Sequence, residues 1–213
     1  MPKRTPFQKA AVEAATRKAV LDATCEILTK DGLDGLTMDA VAEQTGVSKG
    51  TLYNYFQNKK ELLRFVDDSL FAPVEEELTK TMAEKLPPRQ RIRKGIRSFL
   101  VFFEERQRIA MITIGEFCPH PLSLKAAECE RRKFIYNSFY PVIAELLPEN
   151  LFGHYEASHV TRIILGAIMG LLEGRINLDV PRAINEDLDD VMNLFFPEPP
   201  ELVNTQTKDE GIF

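Results

Sequence analysis

An all-α fold is predicted by three observations. Apolar residues recur at i, i+3 and i+4 along most of the chain; the segments so marked are bounded by Gly, Pro, Ser, Thr and Asn where helices start and stop; and no stretch alternates as a half-buried strand does. There is no internal repeat and no low-complexity block. A chain of 213 residues, 44% hydrophobic and 28% charged, has the composition of an ordinary globular protein and is long enough for one large or two small domains.

Residues 1–15 read as a polar arm bearing Lys and Arg and two prolines, mobile at its start. A solvated tail is the simpler reading, and a reach toward a nucleic acid is the other. From Thr16 the spacing of Val20, Thr24, Ile27 and Leu28 predicts an amphipathic helix that stops at Asp31-Gly32. Cys25 lies within it and reads as a small, buried or half-buried hydrophobe.

Residues 36 to 64 predict two short helices at a sharp turn. Thr37 is an N-cap, and Met38, Val41 and Ala42 set an apolar stripe for a helix over Met38–Gln44. Gly46 supplies the left-handed stop, and Ser48 is a fresh N-cap for a second helix. Helix, tight glycine turn, helix is the helix-turn-helix pattern. In the second helix Leu52 and Phe56 face inward with Val47, which leaves Lys49, Thr51, Tyr53, Asn54 and Tyr55 outside. A hydroxyl, an amide, a cation and two phenols there can reach phosphates and base edges, where an ordinary solvated face would carry aliphatic or acidic residues. Gly50 in the first turn costs roughly 0.5–1 kcal/mol relative to Ala, so something must approach that backbone closely. A phosphate at the helix N-terminus is such a partner.

Asn58-x-x-Glu61 then reads as a capping box opening a longer helix, which Leu62, Leu63, Phe65, Val66 and Leu70 carry toward Leu78. Lys59, in its first turn, is either a phosphate contact or a solvated cation. Pro87-Pro88 precedes a helix from about Arg89 with Ile92, Ile96, Phe99, Leu100 and Phe103 on one stripe. Another is expected over Arg106–Phe117, broken by Cys118-Pro-His-Pro121. A long one follows over Ser123–Leu147, ended by Pro148 and kinked or split at Pro141. Helices over His154–Asn177 and Asn185–Phe196 complete the set.

The residues Thr37, Gly46-Val47-Ser48-Lys49-Gly50-Thr51-Leu52-Tyr53, Tyr55-Phe56 and Asn58-Lys59-x-Glu61-Leu62-Leu63 resemble the signature of the TetR family of transcriptional regulators. The resemblance covers about 45 residues, roughly Val20 to Arg64. It implies a DNA-binding domain at 1–65 and a helical ligand-binding and dimerisation domain at 66–196, while the tail 197–213, opening Pro197-Glu-Pro-Pro-Glu, reads as poorly ordered from its composition. It also implies that the helix opened by Asn58 links head and body, that the last two long helices form a dimer's four-helix bundle, and that an effector moves the linker and lowers operator affinity. Thr37, Ser48, Lys49, Gly50, Thr51, Tyr53, Asn54, Tyr55 and Lys59 are the expected DNA-binding residues.

The net charge of −5 divides unevenly: residues 1–65 hold 10 Lys+Arg against 8 Asp+Glu, and the rest 17 against 24. Affinity for DNA must therefore come from placed cations rather than a general field. Cys25, Cys118 and Cys129 have no paired spacing and no apolar leader follows Met1, so no disulfide framework is expected and the compartment is read as cytoplasmic. The longest apolar run, Ile163–Leu172, is too short for a bilayer.

Aromatic residues crowd the middle helices on more than one face, mostly as core. They also allow a mainly apolar effector pocket, with Phe99, Phe103, Phe117, Phe134 and Tyr140 as walls and Glu116, His120, Asn137 and His159 as polar anchors. Metal and cofactor are not expected, because Cys118-x-His120 lies at a break and His154 and His159 are five apart. GxGxxG, GK[ST], HExxH, GxSxG and CxxC motifs are all missing, so no catalytic residue is assigned. Gly166, Gly170 and Gly174 recur every four residues at a summed helix-propensity cost of roughly 2–3 kcal/mol, which close approach would offset. The groove they form faces a second subunit, a helix of the same body or a ligand, and the resemblance favours the subunit. The sequence thus predicts a homodimeric repressor released from a palindromic operator by a small apolar effector. An activator or a non-specific nucleoid-type binder is the alternative.

Overall fold

Local capping decides where the helices of the head begin and end. The computed structural model describes residues 5–117, 129–146, 156–177 and 182–197, which form helices joined by turns, with no strand among them. The helices are α1 (Pro6–Gly35), α2 (Met38–Thr45), α3 (Lys49–Tyr55), α4 (Lys59–Ala83), α5 (Pro88–Phe117), α6 (Glu130–Leu146), α7 (Ala157–Asn177) and α8 (Ile184–Phe195).

α1 corrects the expected arm. It starts at Pro6, because the Thr5 hydroxyl accepts from the Gln8 amide at 3.2 Å while the Gln8 side chain accepts from the Thr5 amide at 3.0 Å. This reciprocal cap, with Pro6 at N1 and five alanines between it and Val20, forms a helix before any apolar stripe begins. Residues 1–4 lie outside the described chain. The expected stop holds: Gly32 has φ 70° and breaks the helix ahead of one last turn.

Two apolar clusters organise the chain. Val20, Leu28, Leu36, Val41, Leu52 and Leu62 centre the first, and Phe71, Leu78, Ile92, Ile96, Leu100, Ile143, Ile164 and Met192 the second. At about 1.5–3 kcal/mol per fully buried side chain, each cluster outweighs the capping terms that fix its helix ends. α4 joins them: Leu62, Leu63 and Val66 enter the first, and Phe71, Val74 and Leu78 the second. α5 does so as well. Past its break at Arg106 (φ −131°, ψ 20°), Ile109, Ile112 and Phe117 pack on the first cluster while Ala110 and Ile114 stay with the second. The two helices expected there are one element with a kink.

α6 runs through Pro141 as one helix rather than splitting. The lost hydrogen bond and ring clash cost about 3 kcal/mol, yet Phe139, Val142 and Ile143 are buried on either side and their burial outweighs it. Arg131 of α6 reaches α4, pairing with Asp67 at 2.8 Å and Glu75 at 3.3 Å while lying 3.7 Å from the Phe71 ring centroid. Arg175 of α7 pairs closely with Asp187 of α8 and at 2.9 Å with Glu104 of α5.

Cys25 is a free, half-buried thiol, and burial pushes its pKa up. Cys129 is disulfide-bonded, against the expectation of three thiols. Pairing depends on which sulfurs the fold brings together, and spacing does not encode that. The expected breaks at 118–121 and 148 and the tail beyond 197 lie outside the described residues.

Candidate nucleic-acid interface

Gly46 makes the turn. At φ 70° and ψ 9° it is left-handed, and its N–H donates to the Glu43 carbonyl at 3.3 Å, closing α2. Two residues on, the Ser48 Oγ accepts from the Thr51 amide at 3.1 Å and opens α3. Leu52 and Phe56, 1% and 2% exposed, seat α3 on the first cluster. Seven residues do not hold a helix alone in water, so this seating fixes its orientation.

The outward face carries Ser48, Lys49, Gly50, Tyr53 and Asn54, all exposed. Thr51 is half-buried, its hydroxyl 2.8 Å from that of Ser48. The Lys49 ammonium donates to Asp39 of α2 at 2.7 Å, and that hydrogen bond raises its pKa. Both partners are solvated, so exchanging the carboxylate for a phosphate sacrifices little. A Cβ added at Gly50 would meet nothing within 4 Å. Nothing inside the chain demands glycine there, which leaves an external surface as the reason.

Thr37 is exposed and caps α2 as expected, its hydroxyl accepting from the Ala40 amide at 3.0 Å. Two residues stand differently from expectation. Tyr55 is half-buried against the first cluster, 5.6 Å from the Arg17 guanidinium, and does not share the open face. Lys59 is half-buried and donates to the Leu33 carbonyl at 2.6 Å, tying the start of α4 to the end of α1. The helix-start reading at Asn58 holds in part: Asn58 accepts from the Glu61 amide at 2.9 Å, but the Glu61 carboxylate takes the amide of Gln57 at 2.7 Å.

The described effector candidates divide between the two clusters and the surface. Phe99 and Phe103 are buried in the second cluster, and Phe134 packs against it. Phe117 packs on the first cluster with Arg64 5.1 Å from its ring. Glu116, Asn137, Tyr140 and His159 are exposed, while His120 lies outside the described residues. Periodicity showed which residues shared a helix but not which face each helix turned inward. A groove of about 370 Å³ does lie between α4 and α5, lined by Leu70, Pro73, Val74, Val101 and Phe102 with Ser69 and Ser98 at its polar edge.

Gly166 and Gly170 are exposed, and a Cβ at either would meet nothing within 4 Å, so no helix among the described residues closes on them. Gly174 is half-buried. Ile163, Met169 and Leu194 are exposed on α7 and α8, at 58%, 49% and 74%. Between these helices runs a groove of about 340 Å³ lined by Ala167, Gly170, Leu171, Val191 and Leu194.

Residues 20–66 match the model of a family described as bacterial regulatory proteins, tetR family. An uncharacterized HTH-type transcriptional regulator, YhgD of Bacillus subtilis strain 168, is 30% identical over 91 residues, 43% of this chain and 48% of YhgD. The HTH-type transcriptional repressor KstR of Mycolicibacterium smegmatis is 51% identical over 47 residues, 22% of this chain and 23% of KstR. The chain thus spans about half of YhgD and less of KstR. Among solved structures, the transcriptional regulator FadR of Bacillus subtilis in complex with stearoyl-CoA superposes with a TM-score of 0.67 at 19% identity, covering 84% of this chain and 96% of FadR. No described helix is long and apolar enough to cross a membrane.

Proposed function

We propose that this chain, a member of the TetR family of bacterial regulatory proteins, is a ligand-responsive transcriptional regulator that represses from a palindromic operator and leaves it when a small apolar effector binds. The observation that carries this reading is the outward face of α3, where Ser48, Lys49, Gly50, Tyr53 and Asn54 stand exposed on a helix seated by Leu52 and Phe56. Phosphate contacts from Ser48, Thr51, Lys49 and the Gly50 backbone set register, and Asn54 and Tyr53 read base edges. Thr37, Tyr55 and Lys59 complete the interface, Tyr55 from the side. Residues 1–65 form the DNA-binding domain and 66–196 the effector and dimer domain, with α4 as the mechanical link.

Two heads are required, because one short helix reads too few base pairs to specify a site. The exposed glycine and apolar face of α7 and α8, with Gly166, Gly170 and Gly174, supports a two-fold seam there. FadR was captured with stearoyl-CoA, whose long apolar chain supports an apolar effector for this fold. The protein works in the cytoplasm without a cofactor and catalyses no reaction.

Selection of duplexes from a random pool tests the reading. Recovery of an inverted repeat, from which an apolar effector dissociates the protein, is expected. Recovery of no preferred sequence, with binding set by salt alone, would make it a nucleoid-type binder instead.

A further inference from the structure

We infer that the N-terminal half of α1, Pro6–Ala19, is a second DNA-contacting surface, a basic helical arm that neutralises backbone phosphates beside the site read by α3. It rests on the DNA-binding reading above and adds to it a surface outside the helix-turn-helix. Every residue from Pro6 to Ala19 is exposed except half-buried Thr16, and Phe7 is 83% exposed. A helix end that packs on nothing frays, yet this one is held by a reciprocal cap and a proline at N1. The chain thus builds an ordered helix end with no partner among its described residues.

Charge says what the partner is. Residues 1–19 carry five Lys or Arg and one acidic residue, whereas residues 20–65, which hold the helix-turn-helix, carry five against seven. All of the head's net positive charge therefore lies in this segment, and the compact part is net negative. By net charge a polyanion is drawn to this segment, while the compact part holds it only through the placed contacts of α3 and its neighbours.

Position agrees. The C-terminal end of α1 meets the body, where Arg108 of α5 donates to the Lys30 carbonyl at 3.5 Å. Its middle lies beside the end of α3, with the Arg17 guanidinium 5.6–5.9 Å from the rings of Tyr55, Phe56 and Phe65. At 1.5 Å per residue the helix from Arg17 to Pro6 continues roughly 17 Å beyond that contact. Lys9 makes no ion pair among the described residues, and Lys18 pairs only with solvated Asp22 at 2.6 Å, a contact a phosphate can replace. Arg17 braces the aromatic rings and is a positioning residue.

The test compares the full chain with its Lys9→Gln/Lys18→Gln variant on two duplexes, the site enriched by the wild type from random DNA and a scrambled copy, across a salt series. The slope of log affinity against log salt is expected to fall by about 2, with equal losses on both duplexes and unchanged helicity. An unchanged slope in a wild type that does bind would sink the arm alone, as would a loss of self-association in place of DNA affinity, which would assign the surface to a second copy. A wild type that binds no duplex would sink the regulator reading itself.

Discussion

Asn54 and Lys59 separate two roles that residues play at a nucleic-acid surface. Asn54 is exposed on the outward face of α3, and its amide both donates and accepts. A bidentate amide-to-adenine contact discriminates by about 1–3 kcal/mol, so Asn54→Ala should relax preference at one position of each half-site while barely changing the salt slope. Unaltered discrimination at every position, measured by competition among single-base variants, would remove Asn54 as a reader. Lys59 has one ammonium hydrogen on the Leu33 carbonyl, which leaves two for a phosphate. Lys59→Ala should therefore lower the salt slope by roughly 1 and also cost about 1 kcal/mol of stability, since a partly exposed charged hydrogen bond is lost. Urea unfolding and a salt titration read the two effects apart. The first was legible in the sequence, because a cation beside a reading helix suggests a phosphate. The second was not: a contact between residues 26 apart depends on how α1 and α4 pack.

At the scale of elements, the link between α4 and α6 rests on a buried ion pair. Asp67 is 6% exposed, and its second oxygen has no hydrogen-bond partner, so the carboxylate depends on Arg131. Removing one member of such a pair costs about 3–5 kcal/mol, whereas replacing both with uncharged groups is often near neutral. Arg131→Ala should thus destabilise strongly, and Asp67→Asn with Arg131→Met should recover most of the loss. Urea midpoints that simply add would contradict this coupling. Helix ends around the head were readable because Thr37, Gly46, Ser48 and Asn58 act within four residues of themselves. The start of α1 escaped the reading since Val20 is the first residue of its apolar stripe, while the Thr5–Gln8 cap lies fifteen residues earlier. At Pro141 the sequence left a kink and a split both open, and the split is avoided because local strain is outweighed by burial that only the packed body supplies. The effector residues were hardest: Glu116, Asn137 and His159 stand on plausible helices but turn outward.

For the whole molecule, the account needs two copies. A Cβ at Gly170 meets nothing within 4 Å among the described residues, so Gly170→Leu should leave each chain folded and improve helix propensity by several tenths of a kcal/mol. Inserted into a seam where two backbones nearly touch, the same side chain should cost about 1–3 kcal/mol or more of association. Sedimentation across a concentration series, paired with circular dichroism, should show intact helices and a weakened dimer; an undiminished dimer would move the seam elsewhere. The central claim is sequence-specific recognition by paired heads, and the ratio of affinities for the selected site and its scramble at physiological salt tests it most directly. A ratio of at least about 10³ is expected, with two chains on each duplex and half-sites roughly 34 Å apart or a multiple of it. Equal affinity for both duplexes, or one chain saturating the site, would contradict it.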